Sequence, residues 1–255
     1  MPLIEEFEST GHWLFRWRSY VPLLALGLIF GGLRYFDYPY GSHALDELWE
    51  VICLTLSYTG LLVRALTVGY SASRTSGRQT AHQVAEHLNT TGMYSVVRNP
   101  LYLGNFLMVL GVVMFVRVWW ILLIYVLLFA LYYERIIFAE EMFLRRKFGR
   151  RYLEWASSTP AFLPRFAHWR PPLSPFNWKK VLRREYHGLI AVAASMFLLE
   201  AAGDFYAGHG FEIDGLWRIV LPPTVVSYAV LRFLHKRTEI LRSGVNDQLA
   251  RPQHG

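Results

Sequence analysis

The chain of 255 residues is more apolar than a typical soluble protein, with 53% hydrophobic and 16% aromatic residues. Soluble domains contain roughly 45 to 50% apolar residues, so the composition favours an all-α, polytopic integral membrane protein. The formal net charge of +7 does not indicate a nucleic-acid partner, because the basic residues are concentrated in a few connecting segments. The single cysteine, Cys53, excludes an intramolecular disulfide, and no metal site is predicted.

Six segments are candidate membrane spans, each close to the roughly 20 mostly apolar residues that a transmembrane helix needs. They lie at about 19–36, 45–70, 100–116, 118–138, 186–203 and 216–234. The amino-terminal sequence MPLIEEFEST is acidic and lacks the features of a cleaved signal peptide, so the first span is expected to be retained. Pro222 and Pro223 are predicted to kink or interrupt the sixth span.

The connections between these spans alternate between basic and acidic. Basic residues follow the second span, the fourth span and the sixth span, whereas the connections 37–47 and 204–215 are acidic. Because cytoplasmic connections are enriched in Lys and Arg, this alternation predicts that both termini are cytoplasmic. Two charges lie within the spans themselves: Arg64 requires a partner or a polar cavity, and Glu200 is expected to snorkel to the outer interface.

The third and fourth spans are nearly continuous around Arg117 and predict a tight helical hairpin that opens towards the cytoplasm. From Ala139 to Trp155, aromatic and basic residues are mixed in a way that is typical of a helix leaving the membrane along its surface. A proline-rich linker follows this segment. The predicted organisation is two spans and a loop at 1–89, a core at 90–164, the linker at 165–185, a carboxyl-terminal pair of spans at 186–242 and a disordered tail at 243–255.

A helix start is predicted at Asn99-Pro100, because Asn is a favoured N-cap and Pro a favoured first helical residue. The unpaired amides of this helix end would face the cytoplasm and suit an anion. Arg98 precedes the cap and adds a guanidinium that can bind a carboxylate or phosphate. The alternative is that Arg98 simply reaches lipid headgroups.

Three glutamates, Glu134, Glu140 and Glu141, occur at the cytoplasmic end of the fourth span. Glu134 and Glu141 are seven residues apart and share one helical face. Carboxylates at the membrane boundary need cationic partners; one alternative is Glu141 with Arg145 at i,i+4. The predicted hairpin offers another, since it can bring Arg98 close to the glutamates and form a polar cleft.

Two sequence motifs mark the core. The first is GMYSVVRNPLYLGN, and the second is EEMFLRRKFGRRYLEWASSTPAFLP, and together they span about residues 90 to 164. They resemble the motifs of the isoprenylcysteine carboxyl methyltransferase and phospholipid methyltransferase family. Asn99 stands where the family usually has His, and Trp155 stands where the family usually has a tyrosine at the end of the second motif. The resemblance implies an integral membrane enzyme that takes S-adenosyl-L-methionine from the cytoplasm and holds it between the two motifs.

The resemblance also implies which residues form the site. The cofactor-binding residues would be Asn99, Pro100, Leu101, Tyr102, Leu103, Gly104, Glu140 and Glu141. The catalytic candidates are Arg98, Glu134, Arg135 and Glu141, and the substrate-binding candidates are Arg98, Arg135 and Arg64.

The resemblance further implies a lipid or lipidated acceptor at the cytoplasmic leaflet. An anionic headgroup such as the phosphate of lipid A is favoured, because the first motif resembles the bacterial members and the cleft carries arginines; this predicts a bacterial inner membrane. Isoprenylcysteine and phosphatidylethanolamine are the alternative acceptors. An NADPH-dependent membrane reductase and a non-catalytic scaffold are alternatives from other classes, although a scaffold would not explain two motifs at the family spacing.

Overall fold

The structure is a computed structural model that describes residues 2–17, 27, 29, 31–35, 43–71, 87–207, 213–238 and 240–241. These residues form helices and connecting segments, and no strand occurs among them. The helices are α1 (Leu3–Trp17), a 3-10 helix (Leu33–Tyr35), α2 (His43–Tyr70), α3 (Met93–Val96), α4 (Pro100–Phe115), α5 (Trp119–Phe148), α6 (Arg150–Ser158), a 3-10 helix (Phe166–His168), α7 (Trp178–Ala207) and α8 (Gly215–Arg237). The predicted all-α membrane fold is confirmed.

Three of the described helices are long and apolar enough to cross a bilayer, namely α2, α5 and α7. Helix α4 is apolar but shorter, with 16 residues. The first predicted span, 19–36, lies mostly outside the described residues. The sixth forms α8, a 23-residue helix that runs through Pro222 and Pro223, so these prolines do not interrupt it.

The predicted hairpin of the third and fourth spans is present. Helix α4 ends at Phe115 and α5 begins at Trp119. Arg117 occupies the turn with a φ of 60°, in the left-handed region that non-glycine residues seldom adopt. The hairpin therefore sets the start of α4 beside the far end of α5.

The surface helix does not begin at Ala139 as predicted. Helix α5 continues to Phe148, because residues 139–148 contain neither Gly nor Pro to end it. The break falls at Gly149, whose φ of 53° is accessible to glycine, and the short helix α6 follows. Residues 159–177 are irregular apart from the 3-10 helix Phe166–His168, whereas α7 begins at Trp178, within the predicted linker and eight residues before the predicted span.

Helices α2 and α4 pack closely along a line of small residues. A methyl group at Gly104 would lie 2.8 Å from the carbonyl oxygen of Gly60. One at Gly111 would lie 2.2 Å from Oγ of Ser57, which donates a hydrogen bond to the carbonyl oxygen of Met108 (2.8 Å). Small residues allow helix backbones to approach within a membrane, and this contact fixes α4 against α2.

We expect Gly111→Ala to destabilise the protein by about 1–3 kcal/mol, since the added methyl group forces two packed helices apart. The measurement is thermal unfolding in detergent. The matched control is Gly31→Ala, because a methyl group at Gly31 would meet no described residue within 4 Å. Equal melting temperatures for the two variants would contradict the close packing.

Helix α1 packs across the second half of α5. A methyl group at Gly11 would lie 2.2 Å from the carbonyl oxygen of Arg135, and the Tyr132 hydroxyl donates to the carbonyl oxygen of Leu14 (2.7 Å). The Arg135 guanidinium lies 3.5 Å from the centre of the Phe7 ring. The amino-terminal segment thus covers the face of α5 that carries Arg135.

Candidate functional site

The start of α4 and the end of α5 are joined by an ion pair between Arg98 and Glu141. Nε of Arg98 lies 2.9 Å from Oε1 of Glu141, and both side chains are partly exposed. The N–H does not point along this line, so the contact is an ion pair without hydrogen-bond alignment. Nη1 of Arg98 donates separately to the carbonyl oxygen of Ala156 (2.8 Å). Of the two alternatives for Glu141, the structure therefore contains the pairing with Arg98.

Backbone hydrogen bonds tie the first motif to the end of the second. The amide of Arg98 donates to the carbonyl oxygen of Pro160 (2.8 Å), and the amide of Arg165 donates to that of Val96 (2.9 Å). The indole N–H of Trp155 donates to the carbonyl oxygen of Tyr94 (3.0 Å). Two segments that are about 60 residues apart in sequence thus form one layer beside the Arg98–Glu141 pair.

Helix α4 begins at Pro100 with Asn99 as its N-cap, as the sequence predicts. The Asn99 side chain does not cap the helix; its Nδ2 donates to the carbonyl oxygen of Ala161 (3.0 Å). The prediction of the helix start is therefore confirmed, and the capping role of the amide is wrong. Because the side chain turns towards Ala161, in the segment after α6, it leaves the first amides of α4 to other acceptors.

Two tyrosines stand beside the glutamates that follow the fourth span. Burial raises the pKa of the Tyr152 hydroxyl, and the negative charge of Glu141 raises it further. Burial likewise raises the pKa of Tyr94, with a smaller contribution from Glu140. Both phenols consequently remain protonated at neutral pH, and each is a hydrogen-bond donor close to a carboxylate.

Aromatic side chains line the contact between α4 and α5. The rings of Tyr102 and Tyr133 have centres 4.7 Å apart, and Phe129 stacks on Tyr133 at 4.1 Å. Phe162, from the segment after α6, packs beside Phe106 and Phe129, with ring centres 5.7 Å and 6.0 Å apart. This apolar cluster lies directly below the polar groups of Arg98 and Glu141 along the hairpin, and it would limit the entry of water from that direction.

Arg64 has a buried acidic partner. Its Nε and Nη2 donate to the two carboxylate oxygens of Glu185 (2.8 Å and 3.0 Å), and its Nη1 donates to Oδ1 of Asn105. A methyl group at Gly104 would lie 2.5 Å from Cγ of Arg64. The predicted need for a partner is confirmed, and the arginine lies against the segment that was predicted to bind the cofactor.

Two of the remaining candidates, Glu134 and Arg135, have surroundings other than this pair. Glu134 is exposed on α5, and Arg135 stacks on Phe7 of α1. Leu101 and Tyr102 are partly buried in the first turn of α4, whereas Pro100, Leu103 and Gly104 are buried. The structure thus brings Arg98 and Glu141 together and directs Arg135 to another face of α5.

Three residues with contacts in this region had no role in the sequence analysis: Asn105, Tyr152 and Glu185. Glu185 lies at the end of the predicted linker, outside the predicted spans and the two motifs. The only sign of it was indirect, namely the requirement of Arg64 for a partner. Tyr152 matches the second motif, but spacing alone gave no sign that its hydroxyl approaches Glu141.

The comparisons with known proteins agree with these motifs. A family model described as phospholipid methyltransferase matches residues 52–151, so the match begins within α2, earlier than the motifs at 90–164. The cobalt-zinc-cadmium resistance protein CzcN of Cupriavidus metallidurans is 32% identical over 201 residues, which cover 76% of this chain and 86% of that protein. The nickel-cobalt-cadmium resistance protein NccN of Alcaligenes xylosoxydans xylosoxydans is 33% identical over 162 residues, which cover 63% of this chain and 68% of that protein.

No solved structure matches the chain significantly. The family model and both relatives extend beyond either motif alone, and the predicted resemblance is confirmed. The chain belongs to the phospholipid methyltransferase family.

Proposed function

We propose that the protein is an S-adenosylmethionine-dependent methyltransferase that acts on a lipid headgroup at the membrane face where Arg98 and Glu141 meet. The observation that carries this proposal is the ion pair itself, in which Nε of Arg98, just before the N-cap of α4, lies 2.9 Å from Oε1 of Glu141 in the last part of α5. The pair sets an anion-binding helix end beside a carboxylate. A methyl donor that carries both negative and positive groups requires such an arrangement.

The residues around the pair have unused hydrogen-bonding capacity that fits such a cofactor. Among the described residues, the Tyr152 hydroxyl is buried without an aligned hydrogen-bond partner, and Oε1 of Glu141 has the ion-pair contact with Arg98 but no aligned donor. Buried polar atoms in this state gain from a ligand that supplies the missing bonds. The first amides of α4 would hold the carboxylate of the amino acid part, and Glu140 and Glu141 would hold its ammonium group or ribose hydroxyls.

S-adenosylmethionine supplies an electrophilic methyl group on a sulfonium. The contribution of the chain is to hold the acceptor in line with that group at about 3–3.5 Å and to exclude water. The aromatic cluster around Phe106 and Phe129 provides an apolar floor for this site. In the transfer, an acceptor oxygen would form a bond to the methyl carbon as the sulfur–carbon bond breaks; the electron pair of that bond would stay on sulfur, S-adenosylhomocysteine would leave, and the anionic acceptor would become a neutral or less charged ester.

An anionic headgroup, such as the phosphate of lipid A, is the proposed acceptor. An ionised phosphate needs no general base, and Arg98 can orient it through its guanidinium. A phosphatidylethanolamine acceptor would instead require a carboxylate such as Glu141 or Glu134 to accept a proton. The two relatives are named for resistance to cobalt, zinc, cadmium and nickel, so the acceptor is best sought in membranes of cells grown with and without these metals.

We expect the purified full-length protein in detergent to bind S-adenosylmethionine and S-adenosylhomocysteine, but not NADPH. Isothermal titration calorimetry measures all three. Incubation of the protein with methyl-labelled cofactor and total membrane lipids is then expected to label an anionic lipid, which mass spectrometry identifies.

The other outcomes separate the alternatives. Label on phosphatidylethanolamine or on prenylated protein would replace the proposed acceptor while retaining the transferase. Binding of NADPH in place of both sulfur compounds would indicate a reductase, and binding of none of the three would favour a non-catalytic scaffold.

A further inference from the structure

A second polar cluster lies at the opposite end of the helices from Arg98 and Glu141. It consists of Asp46 and Glu50 on α2 and Glu200 on α7, whose nearest carboxylate oxygens all lie within 4.8 Å of one another. The three side chains are only 1%, 1% and 3% exposed. Because Glu200 is this deeply buried, the prediction that it snorkels to the interface is wrong.

The carboxylate of Glu200 lacks hydrogen-bond donors. Among the described residues, neither of its oxygens has a hydrogen-bond partner, and Oε2 of Glu50 is in the same state. Oε1 of Glu50 receives only a long bond from the Trp217 indole N–H (3.3 Å). Burial of carboxylates without compensation costs several kcal/mol for each ion, so the cluster needs either a proton or a positive charge to neutralise it.

Arg117 supplies one part of that charge. Its guanidinium pairs with Asp46 from the turn between α4 and α5. Among the described side chains of the cluster, three ionised carboxylates and the Arg117 guanidinium carry a formal charge of −2, which one divalent cation would neutralise.

We propose that Asp46, Glu50 and Glu200 bind a divalent metal cation. Metal–oxygen bonds to carboxylates measure about 2.0–2.6 Å, so oxygens up to 4.8 Å apart can share one ion. A donor set of carboxylate oxygens suits Mg²⁺, Ca²⁺ or Mn²⁺, and Zn²⁺ accepts the same ligands. The cation would satisfy the free oxygens of Glu200 and crosslink α2 to α7.

The site is separate from the proposed methyltransferase site. Asp46 and Arg64 are 18 residues apart on α2, which corresponds to about 27 Å along the helix axis. That distance approaches the roughly 30 Å thickness of the hydrocarbon core. The metal proposal therefore does not depend on the proposed function, and either can fail without the other.

Metal binding to the untagged full-length protein in detergent tests this proposal. After treatment with a chelator and its removal, the protein is titrated with Mn²⁺ and with Zn²⁺ by calorimetry. We expect wild type to bind one ion and Glu200→Gln to bind it at least about tenfold more weakly, as loss of groups that support metal ligands already costs 10–100-fold. Glu154→Gln, which alters an exposed carboxylate on α6, is expected to bind like wild type.

Two results would overturn the proposal. The first is that wild type binds neither ion; a proton held between Glu50 and Glu200, which lie within hydrogen-bonding reach, would then explain their proximity. Alternatively, a folded Glu200→Gln variant with the metal affinity of wild type would place any bound ion elsewhere. Melting curves report whether the Glu200→Gln variant is folded. If it is not, Glu50→Gln is tested in its place. The titration of wild type tests the proposal without either variant.

Discussion

Glu141→Gln is expected to reduce methyl transfer at least about a hundredfold while the protein remains folded. The substitution keeps the shape of the side chain but removes the charge that faces Arg98 at 2.9 Å and, in the proposed function, the charge that attracts the cofactor. Loss of one preorganised electrostatic contact costs about 100–1,000-fold in well-studied enzymes. The measurement is kcat/KM with methyl-labelled S-adenosylmethionine, with binding of S-adenosylhomocysteine measured in parallel.

The matched control for this variant is Glu154→Gln on α6. Glu154 pairs with Arg150 at the surface, so the same chemical change there should leave turnover unaltered. Arg98→Ala should be as inactive as Glu141→Gln. Near-normal turnover in both variants would show that the site has been placed wrongly.

A charge exchange separates a catalytic role of the pair from a purely structural one. The double variant Arg98→Glu with Glu141→Arg keeps an ion pair between α4 and α5 but reverses its direction. If the pair acts only as a brace, the exchange should restore activity along with stability. The proposed function requires that turnover remain lost, because the positive charge then lies at the end of α5.

The sequence was most informative where a feature is determined locally. Asn99-Pro100 begins α4 because cap and first-turn preferences act within a few residues, and the structure begins the helix at Pro100. The pairing of Arg98 with Glu141 was also within reach, since a short turn requires α4 and α5 to be antiparallel neighbours. The choice between Arg98 and Arg145 as the partner of Glu141 required the structure, because both were sterically possible.

Contacts between distant segments were not encoded in any local pattern. Arg64 and Glu185 are 121 residues apart, and nothing in the sequence selects Glu185 from the other acidic residues. Glu200 was assigned to the interface because an isolated carboxylate in a span usually snorkels. Its burial beside Asp46 and Glu50 depends on how α7 packs against α2, which hydropathy does not specify.

Charged side chains meet at both ends of the contact between α2 and α7. Arg64 of α2 meets Glu185 of α7 at one end, and Glu50 of α2 meets Glu200 of α7 at the other. Between them the contact is apolar, with Leu54 and Val192 both buried in the main core. The relative position of α2 and α7 therefore depends on charge at both ends, which makes these charges the most sensitive positions for stability.

Arg64→Leu is expected to destabilise the protein by about 3 kcal/mol, because it leaves the Glu185 carboxylate buried without its bidentate partner. Removing one member of a buried ion pair costs about 3–5 kcal/mol, and the lower end applies since Arg64 retains 23% side-chain exposure against 7% for Glu185. Thermal and denaturant-induced unfolding in detergent measure the loss. The double variant Arg64→Leu with Glu185→Leu should recover most of it, since apolar replacement of a whole buried pair is often neutral.

The same double variant decides whether Arg64 also binds substrate, as the sequence analysis predicts. If Arg64 only pairs with Glu185 and Asn105, the stable double variant should bind S-adenosylhomocysteine and transfer methyl groups at a normal rate. If the guanidinium contacts the headgroup, KM for the lipid should rise while cofactor affinity is unchanged. Failure of the double variant to regain stability would instead mean that the contact of Arg64 with Asn105, rather than the ion pair, holds α2 against α4 at this point.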